Sequence, residues 1–134
     1  MTAPRRMIVL CRDAKILLEA AGYDVVIVPE RSLQQRFLAH LIAFDANTDM
    51  RYIWIKIAIK PFVCLAEVEK FCANEICEIR KQLARHSQTT RFHGEIRVAT
   101  ADGRFQCYEV SLDTFREISL DTRTPVVRME GASA

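Results

Sequence analysis

Residues 51 to 59 alternate almost without a break, with Ile53, Ile55, Ile57 and Ile59 on one side and Tyr52, Trp54, Lys56 and Ala58 on the other. A two-residue period of this kind fits a β-strand whose isoleucines turn toward a core. A second apolar run, Leu38 to Phe44, lies just upstream, and the intervening Asp45-Ala46-Asn47-Thr48-Asp49 supplies the Asn and Asp that favour turns. The stretch from Phe37 to Lys60 therefore predicts an antiparallel hairpin. Its odd members are His40, near the start of the first strand, and Lys56, in the middle of the second. A mid-strand lysine between isoleucines is seldom placed there for packing alone. The bland alternative is a half-exposed face, with the stem of Lys56 over Trp54 and its ammonium in water.

The flanking sequence reads as helices and strands in turn. From Pro4 to Ala21, Met7, Cys11, Ala14, Leu18 and Ala21 recur at helical spacing, Leu10 and Leu17 widen the stripe, and Gly22 supplies a stop. Tyr23 to Val28 is β-rich and nearly all apolar, which predicts a strand covered on both faces, and residues 30 to 36 form a polar connector. After Pro61 one long helix is expected to about Arg85, with Val68, Phe71, Cys72, Ile76, Ile79 and Leu83 on its apolar side. His93 to Thr100 alternates, and Asp102-Gly103 signals a hairpin into Arg104 to Val110. Ser111 or Asp113 can cap a short last helix, Thr114 to Ile118. These elements predict a single domain over residues 1–120 and a flexible tail over 121–134.

Composition narrows the class. The chain has 134 residues, enough for a core without disulfides or a structural metal. Nineteen basic against seventeen acidic residues give a net charge of +2, too little to argue a nucleic-acid partner from total charge. No apolar run approaches a membrane span, and Met1 to Leu10 is short and polar for a signal peptide, so a cytoplasmic protein is expected. The five cysteines, Cys11, Cys64, Cys72, Cys77 and Cys107, are odd in number and sit mostly among apolar neighbours. They read as reduced, buried thiols; Cys72 and Cys77 are not spaced to share a helix face, and no metal site is expected.

The order helix, three strands, helix, two strands, short helix resembles the PD-(D/E)XK nuclease superfamily, whose restriction-endonuclease-like fold includes archaeal Holliday junction resolvases. The likeness rests on a helix ending in Ala21-Gly22-Tyr23, the strand Asp24 to Val28, the run Ala39-His40-Leu41-Ile42-Ala43-Phe44, and Tyr52-Ile53-Trp54-Ile55-Lys56-Ile57. It implies an α/β fold: an α-β-β-β-α-β core around a mixed sheet, followed by a C-terminal hairpin and a short helix. In that family an aspartate after a proline and the acid of an E-x-K motif hold magnesium, while the lysine positions or activates the attacking water. Here Ala39-His40 stands where Pro-Asp would be, and Trp54 where the acid would be. Only Lys56 matches. Neither imidazole nor indole replaces the hard oxygen ligands that magnesium takes, and a lone lysine does not stabilise the phosphoryl charge as the metal would. The resemblance therefore implies a nuclease fold whose chemistry has been lost.

Three functions follow as expectations. The first is binding of DNA or RNA, with Arg80, Lys81, Arg85, Arg91 and Arg97 forming a basic stretch that Arg51, Lys56 and Lys60 extend along a phosphate backbone. The bland reading of those charges is a solvated surface. The second is a protein-interaction or regulatory domain, such as a homodimer, with Tyr52 and Trp54 filling the former groove. The third is an active magnesium-dependent nuclease with acids relocated to Glu19, Glu30, Asp45 or Glu109.

Overall fold

The computed structural model of the chain describes residues 3–28, 39–45, 49–59, 61–85, 92–101 and 104–119. The connector over 30–36, the Asp102-Gly103 turn and the tail over 121–134 lie outside these residues. Within them the protein is a mixed α+β structure, a six-stranded mixed sheet with helices on both faces.

Helix α1 (Ala3–Ala20) buries Leu10, Cys11, Ala14 and Leu18 along one stripe. Leu17 and Ala21, which the sequence placed on or beside that stripe, are exposed instead. The helix ends in a Schellman motif: the amide of Tyr23 donates to the carbonyl of Leu18 at 3.1 Å and that of Gly22 to Glu19 at 3.0 Å. Gly22 sits at φ 98°, where a side chain would be strained.

Strands β1 (Asp24–Ile27), β2 (Leu41–Phe44) and β3 (Met50–Ile57) form an antiparallel meander. The expected hairpin between the second and third strands is present, with Leu41 opposite Ile53 and Phe44 opposite Met50. Strand β1 is not covered on both faces. It is the outermost strand of the sheet, so only Val25 is buried while Val26 and Ile27 are exposed. Ile59 falls beyond the end of β3 and is likewise exposed.

The expected long helix is two helices, α2 (Leu65–Phe71) and α3 (Ala73–Arg85). Cys72 departs from helical dihedrals at φ −102°, ψ 15°. Backbone bonds still run through it, from Cys72 to Val68 and from Ile76 to Cys72, each 2.8 Å. The crossover returns the chain to β4 (Phe92–Ala99), which pairs parallel with β3, and β5 (Phe105–Val110) follows antiparallel. At its start the crossover is tied to β5 by Gln106, whose amide both accepts from and donates to the backbone of Phe62 at 3.2 Å.

The short final helix is absent, and residues 115–118 form β6 (Phe115–Ile118), antiparallel to β5. A helix of five residues is too short to be stable without tertiary support, whereas pairing here satisfies the outer backbone groups of β5. Ser111 to Thr114 closes the turn through a 2.9 Å bond from the amide of Ser111 to the carbonyl of Thr114. Arg80 of α3 clamps that turn by donating to the carbonyls of Ser111 at 2.9 Å and Thr114 at 3.2 Å.

Two cores result. Under α1, Val25, Leu41, Ala43, Ile53, Ile55, Ala99, Phe105, Cys107 and Ile118 pack on the helix stripe. On the opposite face, Val68 of α2, Cys72 at the break, and Ile76 and Ile79 of α3 meet Ala58, Ile96, Val98, Tyr108, Val110 and Phe115. Gly94 lets α3 approach β4, because a Cβ there would collide with the Cγ2 of Ile79. No described helix is long and apolar enough to cross a membrane.

Candidate functional site

The antiparallel pairing of β2 with β3 brings His40 beside Trp54. His40 is fixed by its backbone, which accepts from the amide of Val28 at 2.8 Å and donates to the carbonyl of Ile53 at 2.9 Å. Its ring lies edge-on to the indole of Trp54, with centroids 4.9 Å apart and planes at 66°. Strand β2 begins only at Leu41, so the amide of Ile55 points past its end. The Nδ1 of His40 accepts that amide at 2.9 Å, a side chain standing in for a ladder bond. Burial lowers the His40 pKa from 6.5 to about 4. The imidazole is therefore neutral at pH 7, with its proton on Nε2.

Lys56 lies two residues beyond Trp54 on the same face of β3, turned toward α2 and α3. Its ammonium is 3.2 Å from Glu75 Oε1, 3.4 Å from the carbonyl of Phe71, and 4.4 Å above the Phe71 ring. Both side chains of the ion pair are largely covered, at 22% and 17% exposure. The ammonium is therefore held by Glu75 and Phe71 rather than standing in water over Trp54. Sequence reading missed Glu75. Its spacing did carry a signal, because it stands three residues after Cys72 and four before Ile79, both on the buried stripe of the helix.

The opposite face of the same strands carries a second polar group. Glu95 and Arg97 are buried on β4, with the guanidinium Nε 2.6 Å from Glu95 Oε2. Arg51 on β3 approaches Glu95 at 4.0 Å and Glu109 at 3.5 Å, and Arg116 on β6 donates to Glu109 at 2.7 Å. Asp49 lies 3.6 Å from His93 at one end of this array. Burial pulls the Arg97 pKa downward, opposed by the neighbouring Cys107 and Tyr23, yet an arginine keeps its charge.

These positions disperse the expected basic track. Arg97 is 1% exposed and Arg51 is engaged by two carboxylates, both on the α1 side of the sheet. Lys56 is on the other side, paired with Glu75, and Arg80 is spent on the β5–β6 turn. Lys81 is exposed and 3.2 Å from Glu78, and Arg85 is exposed at the end of α3. Lys60 and Arg91 lie outside the described residues.

The acids considered for a relocated site do not gather around Lys56 either. Glu19 is exposed on α1, Asp45 caps its own turn by accepting the Asp49 amide at 2.9 Å, and Glu109 is on the opposite face. Glu30 is outside the described residues. Among the described residues, no three His, Cys, Asp or Glu side chains converge where a cation could be held. All five cysteines are free. Burial raises the thiol pKa of Cys11, Cys72 and Cys107 to about 11, while Cys77 is exposed. The chain matches no family model, no curated protein and no solved structure with which it was compared.

Proposed function

We propose that this chain is a non-catalytic domain of the restriction-endonuclease-like type that works by binding another protein, for which the exposed Ile8, Val9, Ile16 and Leu17 of α1 offer an apolar surface. The α-β-β-β-α-β order, with β3 parallel to β4 and helices on both faces, supports the fold assignment. The observation that carries the loss of catalysis is the state of the motif positions. The one matching residue, Lys56, is neutralised by Glu75, and the two metal positions hold a neutral histidine locked to the Ile55 amide and the tryptophan packed on it. A phosphoryl-transfer centre needs a cation clamp and a free base or water-positioning group, and neither is offered by this arrangement. Five unpaired thiols suit a reducing, cytoplasmic setting.

The test is incubation with plasmid and branched DNA in magnesium, for which intact substrate is expected. Magnesium-dependent cutting that is lost in Lys56→Ala would overturn the proposal. A second reading, binding of DNA or RNA, is favoured by the exposed Lys81 and Arg85 near the end of α3. Under that reading, affinity for a short duplex falls with salt, and Arg85→Ala lowers the logarithmic slope by about 0.9.

A further inference from the structure

Strand β1 ends the sheet on one side. Which of its backbone groups face outward follows from the ladder. The amide of Ile55 points to His40 at 2.9 Å, so on β3 the odd-numbered residues turn their backbone groups toward β2. Leu41 and Ala43 meet them, which leaves Ile42 and Phe44 to bond β1 through Val26 and Asp24. The amide of Val28, on the carbonyl of His40 at 2.8 Å, keeps the same alternation. The amides and carbonyls of Val25 and Ile27 therefore project from the edge, where no described residue meets them. The outward set is bounded at both ends. Before it, the Tyr23 amide is taken by the carbonyl of Leu18 at 3.1 Å, and after it Pro29 has no amide to give. Within these bounds Val26 and Ile27 are 53% and 37% exposed, and no charge follows Asp24. The opposite edge, β6, carries Arg116 and Glu117, charges of the kind that keep a strand edge from pairing.

We infer that β1 pairs antiparallel with β1 of a second copy of the chain, across a two-fold axis at Val26. A two-fold interface must be self-complementary, each residue i meeting j while j meets i. The outward groups are symmetric about Val26 and meet this condition. Val25 exchanges both its bonds with Ile27 of the second copy, and Ile27 with Val25 of the second copy, so every outward group of β1 is satisfied. Moving the axis fails in either direction: centred on Val25 the pairing calls on the Tyr23 amide, and centred on Ile27 it calls on Pro29. The side chains agree with this register. Ile27 meets Val25 on the α1 side of the sheet, and Val26 meets Val26 on the other side, in a non-hydrogen-bonded pair where side chains come closest. Asp24 of the two copies falls at opposite ends of the paired segment, about 13 Å apart along the strands. A segment this short covers less than the roughly 800 Å² per partner of a standard interface. The dimer is accordingly reversible, with a dissociation constant on the order of tens of micromolar. This surface is separate from the apolar face of α1 and does not depend on it.

Sedimentation equilibrium up to several times that concentration, in reducing buffer so that exposed Cys77 cannot cross-link, reads this directly. The wild-type chain is expected to show a monomer–dimer equilibrium. Val26→Lys and Val26→Glu each place like charges against each other at the axis and are expected to weaken it at least about tenfold, with the circular dichroism spectrum unchanged because the side chain is exposed. An equimolar mixture of the two variants sets lysine against glutamate and is expected to bring the constant back to within about threefold of wild type. Ile27→Pro removes an outward donor and none of the bonds to β2, and is expected to abolish the dimer while the monomer stays folded. A wild-type chain that stays monomeric, a dimer indifferent to both Val26 substitutions, or a mixture no tighter than either variant alone would each overturn the inference. None of these outcomes bears on whether DNA is cut, so failure of the dimer is distinguishable from failure of the non-catalytic reading.

Discussion

Glu95 and Glu109 stand directly opposite each other across β4 and β5, two carboxylates in register on the α1 side of the sheet. Like charges so placed destabilise a strand pair. They are tolerated because guanidinium groups surround them: Arg97 on Glu95, Arg116 on Glu109, and Arg51 reaching toward both. The two acids differ in burial, since Glu95 is fully enclosed and Glu109 is 15% exposed.

Glu95→Gln is therefore expected to leave buried Arg97 uncompensated and to destabilise the fold by about 3–5 kcal/mol. Glu109→Gln, which also relieves the opposition between the acids, is expected to cost much less. Urea unfolding midpoints of the two variants check this, and equal losses would contradict the assignment of Arg97 to Glu95.

Stability is expected to decline as pH falls from about 6.5 to 4 through His40. In the unfolded chain this imidazole takes up a proton near pH 6.5, whereas in the fold burial holds its pKa to about 4. The unfolded state thus binds more protons in that window, and the contribution is complete above it. Its full size is about 3 kcal/mol. His40→Asn, whose side-chain oxygen can accept the Ile55 amide without titrating, is expected to flatten the pH dependence of thermal unfolding over that range.

Gly94→Ala is expected to destabilise the protein by about 1–3 kcal/mol, because the new methyl meets Ile79 on α3 rather than open space. The paired variant Gly94→Ala with Ile79→Leu, which removes the β-branch that carries Cγ2, gives back part of the loss if that contact is the cause. Chemical denaturation of both variants measures it.

Gly22→Ala is expected to cost about 1 kcal/mol for a different reason. Nothing lies within 4 Å of the added Cβ, so the penalty is purely the strain of a side chain at φ 98°. Thermal unfolding that shows no loss would mean that the end of α1 rearranges without strain.

What could be read from the sequence was local. Strand β3 declared itself because Ile53 and Ile55 alternate with Trp54 and Lys56, and α1 did so through the spacing of Cys11, Ala14 and Leu18. The alternation of β4 also put Glu95 and Arg97 on the face opposite Ile96 and Val98. What it could not convey was that β4 lies inside the sheet with that face covered, which turned an apparent surface cation into a buried one. Strand order, a non-local property, likewise left Val26 at an open edge. Residues 115–118 were ambiguous because Ser111 and Asp113 favour tight turns as readily as helix caps. In the site, the juxtaposition of His40 and Trp54 followed from the hairpin, whereas the spacing of Glu75 from Cys72 and Ile79 gave its face of the crossover helix but not Lys56 as its partner.

The single parallel pair in the sheet divides the molecule along a seam. Strands β1 to β3 and β4 to β6 are each antiparallel meanders whose partners are neighbours in the chain, whereas β3 meets β4 only after the 34 residues of crossover between Ile57 and Phe92. Loop closure of that length opposes pairing until α2 and α3 have docked. The two meanders can thus form early and independently, and the joining of β3 to β4 becomes the slow, cooperative step. Substitutions along that seam are expected to act chiefly on the folding rate, and those in the outer hairpins chiefly on unfolding.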